Sequence, residues 1–280
     1  MTENNQSEIL TETQNNDIEQ IIDNLTLFDD DLLSKVFDEN IEATQLLLQI
    51  IMKRDDIRVI WVKGQDEFKN PIVGGRNIRL DIRAILGDGR QINVEVQRNT
   101  EGSHVRRARF HSSMLDSRML REAQEFKDLK DSYVIFICEH DKFKRGLPVY
   151  HIDRYIRETK ELFNDGSNII YVNGKYEGDD DIGRLVHDFK CKKSSDVYYK
   201  EFAAGVRHFK ETEEGREIMC EAVKKYGDQV AEKARIEAKL ELQIANISKL
   251  IKKMNLTLEQ AMDTLDISEE DRKVIIEKMH

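Results

Sequence analysis

The chain has 280 residues, of which 35% are charged and 39% hydrophobic, a composition typical of a soluble protein with a sizeable core and long charged helices. No apolar run approaches the roughly 20 residues that cross a bilayer, and the polar, acidic N-terminus does not resemble a signal peptide, so no membrane partner is expected. The three cysteines, Cys138, Cys191 and Cys220, are widely spaced and form no CxxC pair. Reduced thiols, and hence a cytoplasmic location, are therefore predicted.

The net charge of −10 comes from the start of the chain. Residues 1–40 contain eleven acidic residues and one basic residue, whereas the rest of the chain carries 43 of each sign. The charge therefore does not exclude a nucleic-acid partner, because the rest of the chain can carry a basic surface.

The first elements are predicted from composition and helical spacing. Residues 1–20 are rich in Glu, Asn and Gln and are predicted to form a disordered acidic tail. Helices are predicted near 29–38 and over 41–53, with Asn40 as the N-cap of the second. Its core-facing residues are Leu46, Leu47, Ile50 and Ile51.

A strand, a loop and a hairpin with a glycine-rich turn are predicted next. A first strand is predicted over 57–62, and a charged loop over 63–78. Residues 79–97 then contain two strand patterns around a Gly-Asp-Gly turn, with apolar residues at every second position. The apolar residues are Leu80, Ile82, Ala84 and Leu86 in one strand and Ile92, Val94 and Val96 in the other.

The turn decides which residues of this hairpin face each other. A three-residue loop at 87–89 places Asp81 opposite Glu95. A two-residue loop would pair Asp81 with Val96 and mix the polar and apolar faces, so the longer loop is favoured. The two carboxylates, with Cβ atoms roughly 5 Å apart, would repel each other, and a divalent cation is the simplest species to offset this. The alternative is a surface hairpin with solvated charges.

The elements after the hairpin predict the fold class. A helix is predicted over 104–127, capped by Ser103. Its apolar side contains Val105, Ala108, Leu115 and Leu120. Further strands are predicted over 132–140, 146–156 and 168–174, the second as an edge strand or hairpin. This order predicts an α/β fold with a central mixed β-sheet flanked by helices.

Beyond about residue 180 the strand patterns end. Helices are predicted over 181–190, 196–210 and 213–254, so a core over 21–195 is expected to precede an all-helical extension over 196–280. Thr257 with Gln260 forms a capping-box pattern, and Ser268 can cap a final helix.

The longest helix has an apolar stripe with three- and four-residue steps. The stripe consists of Ile236, Leu240, Ile244, Ile247, Ile251 and Met254. It predicts either intramolecular packing or a coiled-coil contact between copies, so a homo-oligomer formed through the C-terminal helices is one possibility.

A cluster of arginines follows the hairpin. Residues 98–121 contain six arginines and only two acids, Glu101 and Asp116. Four of the arginines are candidates for binding a DNA backbone: Arg98, Arg106, Arg107 and Arg109. The alternative is a solvated helix face whose charges pair with acidic residues nearby.

Asp81, Glu95 and Gln97 form the pattern D-x13-E-x-Q on adjacent strands. Here the chain resembles the PD-(D/E)XK nuclease superfamily, and within it the transposase-like branch of recombination-promoting nucleases. The resemblance covers about 40–220 and depends on several segments in order: NIEATQLLLQII (40–51), NIRLDIRAILGDGRQINVEVQ (77–97), RRARFHSSMLDSRML (106–120), YVIFICEHDKFKRGLPVYHIDRY (133–155), NIIYVNG (168–174) and GRLVHDF (183–189).

The resemblance implies a restriction-endonuclease-like core whose hairpin binds Mg²⁺, or Mn²⁺, through Asp81 and Glu95. The Val96 carbonyl would add a third ligand. Gln97 would orient the attacking water, at the position where most of the superfamily has a lysine. Glu42 matches a further carboxylate that the superfamily often supplies from its first core helix, with Glu39 as the alternate residue. The other interpretation is that Glu42 only favours the helix dipole.

Two functions from different classes are consistent with these residues. The first is a Mg²⁺-dependent DNA endonuclease that hydrolyses phosphodiester bonds with a metal-activated water. The second is a catalytically silent DNA-binding or assembly protein that retains the nuclease fold, which the amide at Gln97 favours. An RNA-directed nuclease is a third hypothesis. The sequence has no GxxxxGK[ST] motif, so ATP dependence is not indicated.

Overall fold

The computed structural model describes residues 16–70, 72 and 74–279. The chain divides after Glu221 into two compact units. The elements of the first unit are a helix over 16–24 (α1), α2 (Asp30–Phe37), α3 (Ile41–Met52), β1 (Val59–Phe68), β2 (Ile78–Leu86), β3 (Gln91–Gln97), α4 (Val105–Asp116), β4 (Ser132–Cys138), β5 (Val149–Ile152), β6 (Ser167–Asn173), α5 (Asp181–Lys190) and α6 (Lys200–Glu211). The division falls within α7 (Glu213–Met254), and the second unit also contains α8 (Leu258–Thr264) and α9 (Glu269–Met279).

The six strands form one mixed sheet in the order β1-β2-β3-β4-β6-β5. The first three strands are antiparallel, β3, β4 and β6 are parallel, and β5 is antiparallel to β6 at the edge. Strand β4 lies inside the sheet because its run of apolar residues is buried on both faces. The predicted mixed sheet flanked by helices is confirmed, as is the edge position of β5.

The hairpin of β2 and β3 has the predicted register. Ile82 pairs with Val94 and Ile85 with Gln91, the register in which Asp81 and Glu95 are the next residues beyond the paired segment. Gly89 has a φ of +89°, the left-handed conformation that a three-residue loop requires and that glycine adopts without strain.

Strand β1 is longer than the sequence predicts. It continues to Phe68, so residues 63–68 are strand rather than charged loop. Phe68 is buried in the core, and Asp66 forms an ion pair with Arg83 of β2 (3.1 Å). These cross-strand contacts stabilise a segment whose charged residues conceal its period-two pattern.

Helix α4 is shorter than predicted and begins with a different cap. It ends at Asp116 rather than near 127, because after Leu115 no further side chain of the segment is buried. The N-cap is His104, whose Nδ1 accepts a hydrogen bond from the Arg106 amide (3.1 Å), and not Ser103, which is buried in the preceding turn.

The predicted α3 is confirmed: the Asn40 side chain accepts a hydrogen bond from the Ala43 amide (3.1 Å) at its start. Helix α6 begins at Lys200 rather than at 196, after a short 3₁₀ turn over Ser194–Asp196. Because Phe202 of α6 packs on Phe37 of α2, the first compact unit extends past residue 195, where the sequence predicts the end of the core.

The predicted acidic tail lies largely outside the described residues, which begin at residue 16. Residues 16–20, however, are helical rather than disordered. Ile22 of α1 is fully buried, and Arg216 forms ion pairs with Glu19 and Asp23. A basic side chain from a distant part of the chain therefore stabilises this acidic segment.

In the second unit, the stripe of α7 packs within the chain. Leu240 and Ile247 form a core with Met262 of α8 and Ile275 of α9. The predicted capping box of Thr257 and Gln260 and the Ser268 cap are both present. Intramolecular packing is thus confirmed for the middle of the stripe, while oligomerisation through these helices stays a prediction. Across the described residues, no helix has the length and apolar character to cross a membrane.

Candidate active site

The hairpin brings two carboxylates together in the interior of the protein. Asp81 is 7% exposed and Glu95 is fully buried. Glu95 Oε1 lies 3.4 Å from the Asp81 amide nitrogen, and Asp81 Oδ2 accepts a hydrogen bond from the Val96 amide (2.9 Å). No described residue donates a hydrogen bond to Asp81 Oδ1. The two carboxylates are therefore close neighbours, and Asp81 Oδ1 is left for another ligand.

The environment disfavours two negative charges. Burial raises the pKa of Asp81 well above its ordinary value, and the neighbouring Glu95 raises this pKa further. The hydrogen bond from Val96 acts in the opposite direction but is outweighed. A cation placed beside both carboxylates would relieve this unfavourable charge, so the pair has the chemistry of a metal-binding site.

Helix α4 covers the pair and holds Glu95 through two side chains. Arg107 Nη2 lies 2.8 Å from Glu95 Oε2, and His111 Nδ1 lies 3.4 Å from Glu95 Oε1. The two residues are one helical turn apart, so they present adjacent groups to the same strand. His111 was not among the site residues predicted from the sequence. Its spacing of four from Arg107, on the same helix face as the buried Ala108, is the signal that indicates it.

His111 also connects this site to Asn93, the next inward-facing residue of β3. Arg107 Nε donates to His111 Nε2 (3.3 Å), so His111 carries its hydrogen on Nδ1. Asn93 Nδ2 lies 3.0 Å from that Nδ1, and Asn93 Oδ1 has no partner among the described residues. With the amide oxygen and nitrogen exchanged, Asn93 Oδ1 accepts the hydrogen on His111 Nδ1. The polar side of β3 is thus a buried network rather than a solvated surface.

A family model described as PD-(D/E)XK nuclease family transposase matches residues 31–175, just over half of the chain. The chain belongs to this family. The six-stranded mixed sheet with its flanking helices accordingly has the restriction-endonuclease-like fold. Comparisons with curated proteins and with solved structures found no match. Membership of the family supports a nuclease- or transposase-like function, implies DNA as the substrate, and is typical of proteins that use divalent metals.

In this PD-(D/E)XK protein, Gln97 ends β3 two residues after Glu95. Its Oε1 lies 3.5 Å from Arg107 Nη1, and its backbone carbonyl accepts a hydrogen bond from the Glu139 amide (3.0 Å). The Gln97 amide therefore shares Arg107 with Glu95, and its predicted role towards an attacking water stays a prediction.

The four arginines predicted to bind DNA lie in three different environments. Arg106 and Arg109 are exposed on α4, and among the described residues neither forms an ion pair. Arg98 is half-exposed and forms an ion pair with Asp29 (2.7 Å). Arg107 is partly exposed, and its guanidinium is directed at Glu95. Only Arg106 and Arg109 thus have the unpaired, exposed charge that a phosphate backbone requires.

Glu42 is exposed in the first turn of α3 and makes no hydrogen bond or ion pair with the described residues. Its predicted catalytic role stays a prediction. Asp30, in the first turn of α2, is a helix carboxylate whose charge affects the pKa of Asp81. After burial and Glu95, the Asp30 charge is a further cause of the raised pKa of Asp81. Asp30 had no sequence signal beyond the acidic start of its helix.

Proposed function

We propose that this protein is a Mg²⁺-dependent DNA endonuclease of the recombination-promoting, transposase-like type. The observation that carries the proposal is the buried pair of Asp81 and Glu95, in which ionisation of Asp81 is unfavourable without a cation. Family membership supports nuclease chemistry, and the proposal adds the metal, the hydrolytic reaction and the residues.

The metal ligands in this proposal are the carboxylates of Asp81 and Glu95 and the Val96 carbonyl. Val96 is included because its N–H group donates to Asp81 Oδ2, so the Val96 backbone lies beside the carboxylates. Mg²⁺ suits these hard oxygen ligands, and Mn²⁺ is an alternative ion. When bound, the ion stabilises negative charge on phosphate oxygens and lowers the pKa of a water ligand.

The protein's own groups do the remaining work. Gln97 donates or accepts a hydrogen bond to orient the attacking water. Arg106 and Arg109 hold the DNA backbone without reading base sequence. Arg98, which is paired with Asp29, is proposed as a weaker backbone contact. Glu42 is proposed as a carboxylate that assists the site from α3.

The test is cleavage of supercoiled plasmid by the purified full chain with Mg²⁺ or Mn²⁺. Asp81→Asn and Glu95→Gln should each abolish nicking, whereas Glu67→Gln, an exposed carboxylate of β1, should leave it unchanged. Nicking of equal rate in the wild type and Asp81→Asn would refute the assignment. Offering DNA and RNA of one sequence distinguishes a DNA endonuclease from an RNA-directed nuclease.

A second candidate function is a catalytically silent DNA-binding or assembly protein. The neutral Gln97 favours it, because an amide brings no positive charge to offset the developing negative charge. This candidate predicts DNA binding that falls steeply with salt, persists in Asp81→Asn, and is accompanied by no cleavage with any metal. A cytoplasmic location stays a prediction from the cysteines.

A further inference from the structure

Arg107 occupies the space between the two functional residues of β3. Its guanidinium lies 2.8 Å from Glu95 Oε2 through Nη2 and 3.5 Å from Gln97 Oε1 through Nη1. Nη1 also donates to the carbonyl of Gly102 (3.3 Å). A planar group with five donors can make these contacts at once, which an ammonium group on a flexible stem cannot do as well.

The surroundings of Arg107 fix this position. Nε donates to His111 Nε2, and the side chain is 37% exposed, whereas Arg106 and Arg109 on the same helix are exposed. The guanidinium makes four hydrogen-bond contacts with neighbouring protein groups, and these contacts hold it in place. The arginine therefore has a defined relation to Glu95 and not only to solvent.

Gly102 closes the same space from the loop before α4. A Cβ atom added to Gly102 would lie 1.7 Å from Gln97 Oε1, so the loop backbone packs directly on the Gln97 amide. With Oε1 directed at Arg107, Gln97 Nε2 is the group that remains to contact a water or phosphate oxygen. Arg107 and Gly102 together determine which end of the Gln97 amide faces the site.

We propose that Arg107 supplies from α4 the positive charge that Gln97 does not supply from β3. On this view Gln97 and Arg107 share one role: the amide orients the water and the guanidinium offsets negative charge beside Glu95. Arg107 is thus a positioning residue for Glu95 and Gln97 rather than a contact to the DNA backbone. This inference rests on the proposed nuclease function. It names a source for the positive charge that a lysine supplies at the Gln97 position in most of the superfamily.

The test moves the charge between the two elements. Arg107→Gln should lower the rate of plasmid nicking about 100-fold, the usual effect of removing one charge-stabilising donor, and Arg107→Lys should retain part of the activity. The double variant Gln97→Lys/Arg107→Gln restores a positive charge on the strand and should recover at least a tenth of the wild-type rate. Arg121→Gln, an exposed arginine after α4, is the matched control.

Mn²⁺ affinity, measured by calorimetry at pH 8 without DNA, is a second readout that does not need activity. Removing a positive charge beside Glu95 should make Arg107→Gln bind Mn²⁺ about fivefold more tightly, and adding Gln97→Lys should reverse this. If Arg107 only kept the site folded, Arg107→Gln would bind Mn²⁺ more weakly than the wild type, because a less rigid Glu95 is a poorer metal ligand.

The two proposals fail in distinguishable ways. If the wild type does not nick DNA, the nuclease function fails, and the Mn²⁺ affinities alone decide the placement of charge. If the wild type nicks DNA but Arg107→Gln does so equally well, the Arg107 proposal is overturned and the function stands. It is also overturned if the double variant is folded by circular dichroism yet as inactive as Arg107→Gln.

Discussion

Two fully buried carboxylates of the first unit, Glu95 and Asp188, are satisfied in different ways. Asp188 accepts hydrogen bonds from the backbone amides of Tyr198 (2.8 Å) and Tyr199 (2.9 Å), one on each oxygen. Glu95 is held by the side chains of α4 and lies opposite a second carboxylate. Backbone donors are fixed and neutral, so Asp188 joins α5 to the start of α6. Glu95 instead belongs to a set of charged and polar side chains whose charge balance a bound cation can change.

The neighbours of Asp188 agree with a structural role. His187 Nδ1 lies 3.3 Å from Asp188 Oδ1 and 3.6 Å from Cys191 Sγ, so three ligand types meet at the end of α5. The thiol, however, is directed at the carbonyls of His187 and Asp196 (3.4 Å each), and burial raises the pKa of Cys191 to about 11. Proximity of acidic, imidazole and thiol groups therefore does not by itself indicate chemistry. What separates the two regions is whether the carboxylate is already satisfied by the backbone.

The largest effect on stability is expected for Asp188, the carboxylate with the structural role. Asp188→Ala leaves two buried backbone amides without partners and should destabilise the protein by about 3 kcal/mol. The effect should appear as a lower urea midpoint, while the nicking rate per folded molecule is unchanged. A stable Asp188→Ala protein that has lost nicking would reverse the assignment and place Asp188 in the functional site.

A smaller effect of opposite sign is expected for Asp81. Asp81→Asn removes one of two facing charges and should stabilise the protein without metal by about 1 kcal/mol at pH 8. Mg²⁺ at ten times its Kd should stabilise the wild type by about 1.4 kcal/mol and leave Asp81→Asn unchanged. Urea unfolding in EDTA and in Mg²⁺ measures both, with Glu67→Gln as the control.

The pH dependence gives this prediction a definite sign. Because the folded-state pKa of Asp81 is raised above 3.8, its stabilising contribution is complete below that pH and is lost as the pH rises through the folded pKa. The advantage of Asp81→Asn over the wild type in EDTA should therefore grow from pH 4 to pH 8. A constant difference would mean that Asp81 ionises as easily in the folded state as in the unfolded state.

The functional strands could be predicted from the sequence, because strict alternation and a glycine-rich turn leave one register that keeps the polar and apolar faces separate. Helix α7 was predictable for a similar reason, since its stripe has no competing pattern. The extension of β1 to Phe68 was not, because the alternate positions there are charged and only their partners on β2 show that they lie in a strand.

The helical side of the site could not be predicted from local pattern. Arg106, Arg107 and Arg109 look alike in the sequence, and an arginine on a helix is usually solvated. Only the packing of α4 on the sheet turns Arg107 and His111 inward and leaves the other two arginines outside. The buried carboxylate of Glu95 on β3 pairs with Arg107, and this ion pair makes Arg107 part of the site.

The smallest effects on stability are expected for the exposed arginines. Arg106→Gln and Arg109→Gln should each change the unfolding free energy by less than about 0.5 kcal/mol, since neither forms an ion pair with the described residues. Each should weaken binding of a DNA duplex uniformly across sequences and reduce the dependence of log Kd on log salt by about one phosphate contact.

Arg107→Gln provides the contrast. The charge of Arg107 is already paired with Glu95, so this variant should leave the salt dependence almost unchanged while lowering nicking. Fluorescence anisotropy between 50 and 200 mM salt, a range suited to such slopes, separates the two kinds of arginine. A salt slope that falls equally in all three variants would show that Arg107 leaves Glu95 to contact the DNA backbone.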